Sequence, residues 1–285
     1  MKILWTFDPF EKNKQLHEFG KNLVQHLFDK KDSIEILYVA SNAEAQLATA
    51  FNIPAKRRYS SYPKELIKEE LKKWGLSGQK VEVLEESSLS LTTSVKKVVE
   101  YSKKKKADLV LISSNGKEVL PRMIFGSFAE TLVHLSVCDL LVFHQKTKFE
   151  LRKPQNILYA HDFSTKGNSG LERVLTYVKK WNATLTLVYV PVPDVGQDLH
   201  DFKQSVQKRV QKMEKSLEAQ KIKFTVHLEY GVLPISEIIL TIAEKNHMDI
   251  IAVAAKSNKL AALFGGSVSR QVMRESLLPT LVLKV

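Results

Sequence analysis

Two acids each close an apolar run in this 285-residue chain, Asp8 after Ile3-Leu4-Trp5-Thr6-Phe7 and Asp162 after Ile157-Leu158-Tyr159-Ala160-His161. A carboxylate at the end of a buried strand can accept hydrogen bonds from a ribose hydroxyl or an adenine amine. The same residue types also have a plain structural use, because Asp and Ser, as in Asp162-Phe163-Ser164, start turns and cap helices. A second pattern lies further along each half. Ser113-Ser114-Asn115-Gly116 leads to Gly126-Ser127, and Ala254-Ala255-Lys256-Ser257 leads to Gly266-Ser267-Val268-Ser269. Small residues let backbone N–H groups approach a phosphate closely, and a helix N-terminus with a Ser hydroxyl is a ready anion site. A Gly-Ser pair alone is also an ordinary helix start.

Other chemistry finds little footing. The eight histidines (His17, His26, His134, His144, His161, His200, His227 and His247) show no metal-ligand spacing. His161 beside Asp162 suggests an acid–base pair, but neighbours on a strand point to opposite faces. Cys138 is the single cysteine, so there is no disulfide framework or thiolate cluster, and its place before an apolar run reads as a small buried hydrophobe.

The elements that must hold these residues occur twice, in the same order. Ile36-Leu37-Tyr38-Val39 returns as Leu187-Val188-Tyr189-Val190, and Ala107-Asp108-Leu109-Val110-Leu111-Ile112 as Met248-Asp249-Ile250-Ile251-Ala252-Val253. Each half closes on a short apolar run, Leu140 to Phe143 and Leu281 to Leu283. Between these runs lie helical stripes such as Leu16, Phe19, Leu23 and Leu27, or Phe202, Val206, Val210, Met213 and Leu217, which are core faces. Strands alternating with helices predict an α/β fold of two tandem domains. Each is a five-stranded parallel sheet with helices on both faces. The polar stretch His144 to Lys153 is the seam, so the domains are expected at 1–146 and 154–285, with a longer excursion at 41–62 in the first copy. In such sheets, ligands bind outside the carboxyl ends of the strands where the strand order reverses.

Composition narrows the class. At 44% hydrophobic and 26% charged, with no apolar run approaching a membrane span and no signal-peptide pattern, the chain is expected to be cytoplasmic and free of the membrane. The net charge of +12 invites a nucleic-acid reading. However, Lys103 to Lys106 end an expected helix, where cations favour the dipole, so a solvated basic surface is the better account.

Taken together, the strand-ending Asp, the Tyr-Val of strand two, Asp-Leu-Val-Leu-Ile before the loop and Gly-Ser before the last helix make the chain resemble a tandem universal stress protein along almost its whole length. That resemblance implies a Rossmann-like, adenine nucleotide alpha hydrolase-like fold. It also implies a stress-response protein without enzymatic activity that binds ATP or another adenine nucleotide. The family's phosphate loop has the form G-x2-G-x9-G-[S/T]. The first copy keeps its spacing, with Ser113 in place of the first glycine, then Gly116, Gly126 and Ser127. The second copy lacks both early glycines but keeps Gly266, Ser267 and Ser269. By resemblance, then, Asp8 meets the base or ribose, Val39 offers its backbone, and Ser113, Gly116, Gly126 and Ser127 cradle phosphates. Asp162, Val190, Gly266, Ser267 and Ser269 are the weaker second set. The resemblance further implies pairing of the halves through their last strands, in imitation of a homodimer. The alternative function is a nucleotide-free regulatory module that acts through an unknown protein partner.

Overall fold

The computed structural model describes residues 1–41, 61–86, 90–114, 127–193, 195–230, 233–255 and 267–285. These residues form two compact units, one within Met1–Lys146 and one within Thr147–Val285.

The first unit runs β1 (Lys2–Thr6), α1 (Lys14–Leu27), β2 (Ser33–Ser41), α2 (Ser61–Lys73), β3 (Lys80–Glu86), α3 (Leu91–Lys105), β4 (Leu109–Ser114), α4 (Ser127–Leu135) and β5 (Asp139–His144). All its strands are parallel, in the order β3-β2-β1-β4-β5. The continuous apolar runs of β1, β4 and β5 follow from burial on both faces, and every residue of β5 is buried. Crossovers between parallel strands are right-handed. The reversal of winding after β3 therefore sends α1 and α2 to one face and α3 and α4 to the other, where α3 packs on α4. Asn13 caps α1 by accepting the Gln15 N–H at 3.1 Å. The basic run does end a helix: α3 stops at Lys105, and Lys106 is its left-handed cap.

The second unit repeats the plan with β6 (Asn156–Ala160), α5 (Thr165–Trp181), β7 (Thr184–Tyr189), α6 (Leu199–Ala219), β8 (Phe224–Leu228), α7 (Ile235–Lys245), β9 (Ile250–Ala255), α8 (Ser267–Glu275) and β10 (Thr280–Lys284). Its parallel order is β10-β9-β6-β7-β8. The stripe Phe202, Val206, Val210, Met213 and Leu217 is the buried face of α6.

Two features recur with different residues. A repeated acid ties the start of the first strand to the strand beside it. Asp108 accepts the Lys2 N–H at 2.7 Å, and Asp249 accepts those of Gln155 at 2.8 Å and Asn156 at 2.9 Å. Asp249 is buried, and its charge is met by Arg152 at 2.9 Å. A large aromatic of the first strand is also accommodated by a glycine of the next helix. A Cβ on Gly20 would lie 2.5 Å from the Trp5 ring, and one on Gly170 would collide with the Tyr159 hydroxyl.

At the amino end of the first sheet, Glu35 is buried and bonded by Lys80 at 2.7 Å and by the Tyr101 hydroxyl. Burial acts to raise its carboxyl, and these bonds outweigh burial and hold it below the usual range. It is a paired core charge, far along the strands from the edge that carries the chosen residues.

Candidate functional site

The strand order reverses between β1 and β4 in the first unit and between β6 and β9 in the second. Thr6 pairs with both Leu37 and Ile112, so two residues further on Asp8 is level with Val39 and Ser114. The carboxyl edge of the first sheet thus brings together Asp8, Val39 and Ser113, and Ser127 opens α4 beside it. Asp8 is exposed, Val39 and Ser113 are half-buried, and Ser127 is exposed. Gly116 and Gly126 lie outside the described residues.

The turn after β1 is held from three directions. The Asp8 carboxylate accepts the Phe10 N–H at 2.9 Å, and its backbone carbonyl accepts the Glu11 N–H at 3.2 Å and His17 Nε2–H at 2.7 Å. Because that carbonyl only accepts, Nε2 carries the proton. His17 Nδ1 is then buried without a hydrogen-bond partner. Burial, foremost, keeps the His17 pKa below its ordinary value, and its ring stacks on Phe7 at 4.2 Å. Phe10 is 43% exposed at the rim. Its ring centroid lies 6.0 Å from Tyr38 and 6.3 Å from Tyr62.

The second unit brings Asp162 and Val190 to the matching edge, and Ser267 opens α8. Gly266 lies outside the described residues. Ser269 donates to the Ala254 carbonyl at 3.3 Å, tying α8 to the end of β9. Asp162 is occupied by its own turn. It accepts from the Ser164 N–H at 3.0 Å and the Ser164 hydroxyl at 2.6 Å, while Ser164 Oγ caps α5 by accepting the Gly167 N–H at 3.0 Å. A side chain on Gly167 would collide with the Asp162 carboxylate. The capping role of Asp-Phe-Ser is therefore realised in atoms. Between cap and acid, Phe163 holds a positive φ of 55°, with its ring edge-on to His161 at 4.6 Å and to Tyr189 at 4.7 Å.

Universal stress protein family models match residues 1–144 and again residues 153–284. The chain belongs to the universal stress protein family. Among its relatives, a universal stress protein of Methanocaldococcus jannaschii is 34% identical over 92 residues, which is 30% of this chain. The chain spans about half (54%) of that relative's length. A universal stress protein of Archaeoglobus fulgidus superposes with a TM-score of 0.70 at 20% identity, covering 99% of this chain and 96% of the other. A Pseudomonas aeruginosa protein gives 0.66 at 16% identity, with 99% and 92% covered. These likenesses establish the fold, two tandem Rossmann-like domains of the adenine nucleotide alpha hydrolase-like type.

In this universal stress protein, sequence reasoning misses the aromatic rim of Phe10, Tyr38 and Tyr62. The available signal was a Phe two places after the strand-ending acid. It also misses His17, which comes to the site from α1. Cys138 is buried, and burial pushes its thiol up. Among the described residues there is no group of three or more His, Cys, Asp or Glu able to hold a metal, and no helix long and apolar enough to cross a membrane. The second unit also holds a cavity of about 640 Å³ near Phe149, Leu240 and Met248. It lies at the amino ends of the strands, and none of the sequence-chosen residues lines it.

The Ser164 bonds fix the charge state of Asp162. Burial acts to raise its carboxyl, but the Ser164 hydroxyl and N–H hold it below the usual range, with help from His161 and Lys166. While that turn holds, its contribution to stability is present above the unfolded value near 3.9 and is lost as pH falls through the lower folded value. Ser164→Ala should cost about 1 kcal/mol as a lost cap. It should also raise the Asp162 pKa, so that the acid loss begins at higher pH. Urea denaturation and a carbon NMR titration of Asp162, with the titrating His161 replaced (His161→Asn) in both chains, check this, and an unmoved pKa would refute the assignment.

Proposed function

We propose that the first unit binds an adenine nucleotide, ATP foremost, at the carboxyl edge between β1 and β4, and that the protein works by binding rather than by catalysis. The observation that carries this is the convergence of Asp8, Val39, Ser113 and Ser127 on the edge where the strand order reverses. Ligands of doubly wound sheets bind at such edges. Asp8 would accept from the base or ribose, and the Val39 backbone would meet the base. Ser113, Gly116, Gly126 and Ser127 would hold phosphates at the start of α4. The proposed domains are 1–146 and 154–285, each with its own copy of the edge.

For the second unit, a specific observation favours the nucleotide-free reading: Asp162 already accepts two bonds from Ser164, and Phe163 lies against Tyr189. Asp162, Val190, Gly266, Ser267 and Ser269 then serve mainly to build that edge, and its output is contact with a partner protein.

Mass spectrometry of small molecules released by denaturing freshly purified protein tests the proposal. An adenine nucleotide should be released, and added ATP should raise the melting temperature through its binding to the folded state. Absence of both would refute it.

A further inference from the structure

We propose that the second unit carries a proton-operated latch, in which neutral His161 holds Phe163 in its left-handed turn and Asp162 against the start of α5, and protonation of His161 releases both. The His161 ring is buried, 4% exposed. Its Nδ1 accepts the Phe163 N–H at 3.1 Å. An imidazole nitrogen accepts only while it carries no proton, so the ring is neutral with its proton on Nε2. A second proton has one place to go, Nδ1, where it would face the Phe163 N–H, donor against donor.

That bond holds an unfavourable backbone. A bulky residue at φ 55° is an outlier that persists only where its surroundings compensate. Once the bond is lost, Phe163 returns to ordinary φ and its ring leaves Tyr189. Phe163 joins Asp162 to Ser164, so the same movement breaks the Ser164–Asp162 bonds and frees the carboxylate for another ligand.

The groups around the ring set the direction. Burial, the largest influence, keeps the His161 pKa below its ordinary value, while Asp162 and Asn168 of α5 act the other way. Tyr159 of β6 lies edge-on to the ring at 5.8 Å with its hydroxyl on the Gly167 carbonyl. Lys166 of α5 acts on Asp162, and Arg209 of α6 on Tyr189. The latched state is therefore complete above the ordinary histidine value near 6.5 and is lost as pH falls below it. Among the described residues, the first unit shows no such latch. His17 donates through Nε2 to the Asp8 carbonyl, a bond that survives protonation.

The test uses the full chain, isotope-labelled, with His161→Asn beside it. An Asn side-chain oxygen accepts an N–H two residues on, as Asp8 does from Phe10, and it does not titrate. Between about pH 8 and about pH 5, the wild-type amides of Phe163 and Ser164 should shift and lose at least about tenfold of their exchange protection. His161→Asn should keep both amides in place throughout, and His161→Leu should have them released at every pH. Three results would overturn the latch: amides that stay put while His161 titrates, the same acid transition in His161→Asn, or a ring that gains its proton only when the whole unit unfolds. The outcome does not depend on whether either unit binds a nucleotide.

Discussion

Gly170→Val should lower the stability of the second unit by about 3 kcal/mol, combining overpacking with the loss of a buried hydrogen bond. Tyr159 is fully buried, and its hydroxyl donates to the Gly167 carbonyl at 2.7 Å. Any Cβ on Gly170 collides with that hydroxyl and would lie 2.9 Å from the Ala254 Cβ. The ring must yield, and its hydroxyl then has no buried acceptor. Calorimetry of the full chain should show the corresponding transition lowered by roughly 6–12 °C. A double-mutant cycle isolates the cause. Gly170→Ala should cost clearly less in a Tyr159→Phe background, where no hydroxyl occupies the space. Equal costs in both backgrounds would rule out the hydroxyl as the obstacle.

Gly116→Val should weaken ATP binding by about a hundredfold, equivalent to about 2.7 kcal/mol, whereas Gly266→Val should change it little. The first loop keeps the spacing that lets backbone N–H groups wrap phosphates, while the second has Ala254 and Ser257 where glycines would give that freedom. Both acids accept the backbone N–H two residues on, and Asp162 accepts the Ser164 hydroxyl in addition. Titration calorimetry on the two variants separates the sites. Loss of binding in Gly266→Val alone would reverse their ranking and favour the second unit as the nucleotide carrier.

The strands are legible in sequence because a parallel strand covered on both faces must be apolar without interruption, as Leu109 to Ile112 and Leu281 to Leu283 are. The helices are legible because only one stripe of each is buried. The strand-ending acids can be picked out because a charge without a partner such as Glu35 has in Lys80 cannot continue such a run. What the acids do is less visible. Asp108 and Asp249 appear in sequence only as repeated letters, yet each bonds to backbone more than ninety positions away. The turn at Phe163 is invisible for a different reason. Nothing in a phenylalanine encodes positive φ, and the bond that imposes it comes from a histidine nitrogen whose acceptor state depends on burial. The aromatic rim of the first unit draws on three separate elements, so no local spacing announces it. The glycines of both loops lie outside the described residues, and their part rests on motif spacing.

The paired aromatics and glycines bear on how two copies of one domain drift apart. Trp5 needs its hole at Gly20 and Tyr159 needs its hole at Gly170, yet the two glycines do not occupy corresponding places in their helices. Aligned on their caps, Asn13 and Ser164, α1 moved into the second copy would set Phe19 where Gly170 stands, and α5 moved into the first would set Leu171 where Gly20 stands. Each copy has thus fixed a mutually dependent pair that the other cannot accept. Exchange of the first crossover helix between the copies would therefore cost stability in both. The copies are no longer interchangeable parts, and each is free to specialise the carboxyl edge of its own sheet.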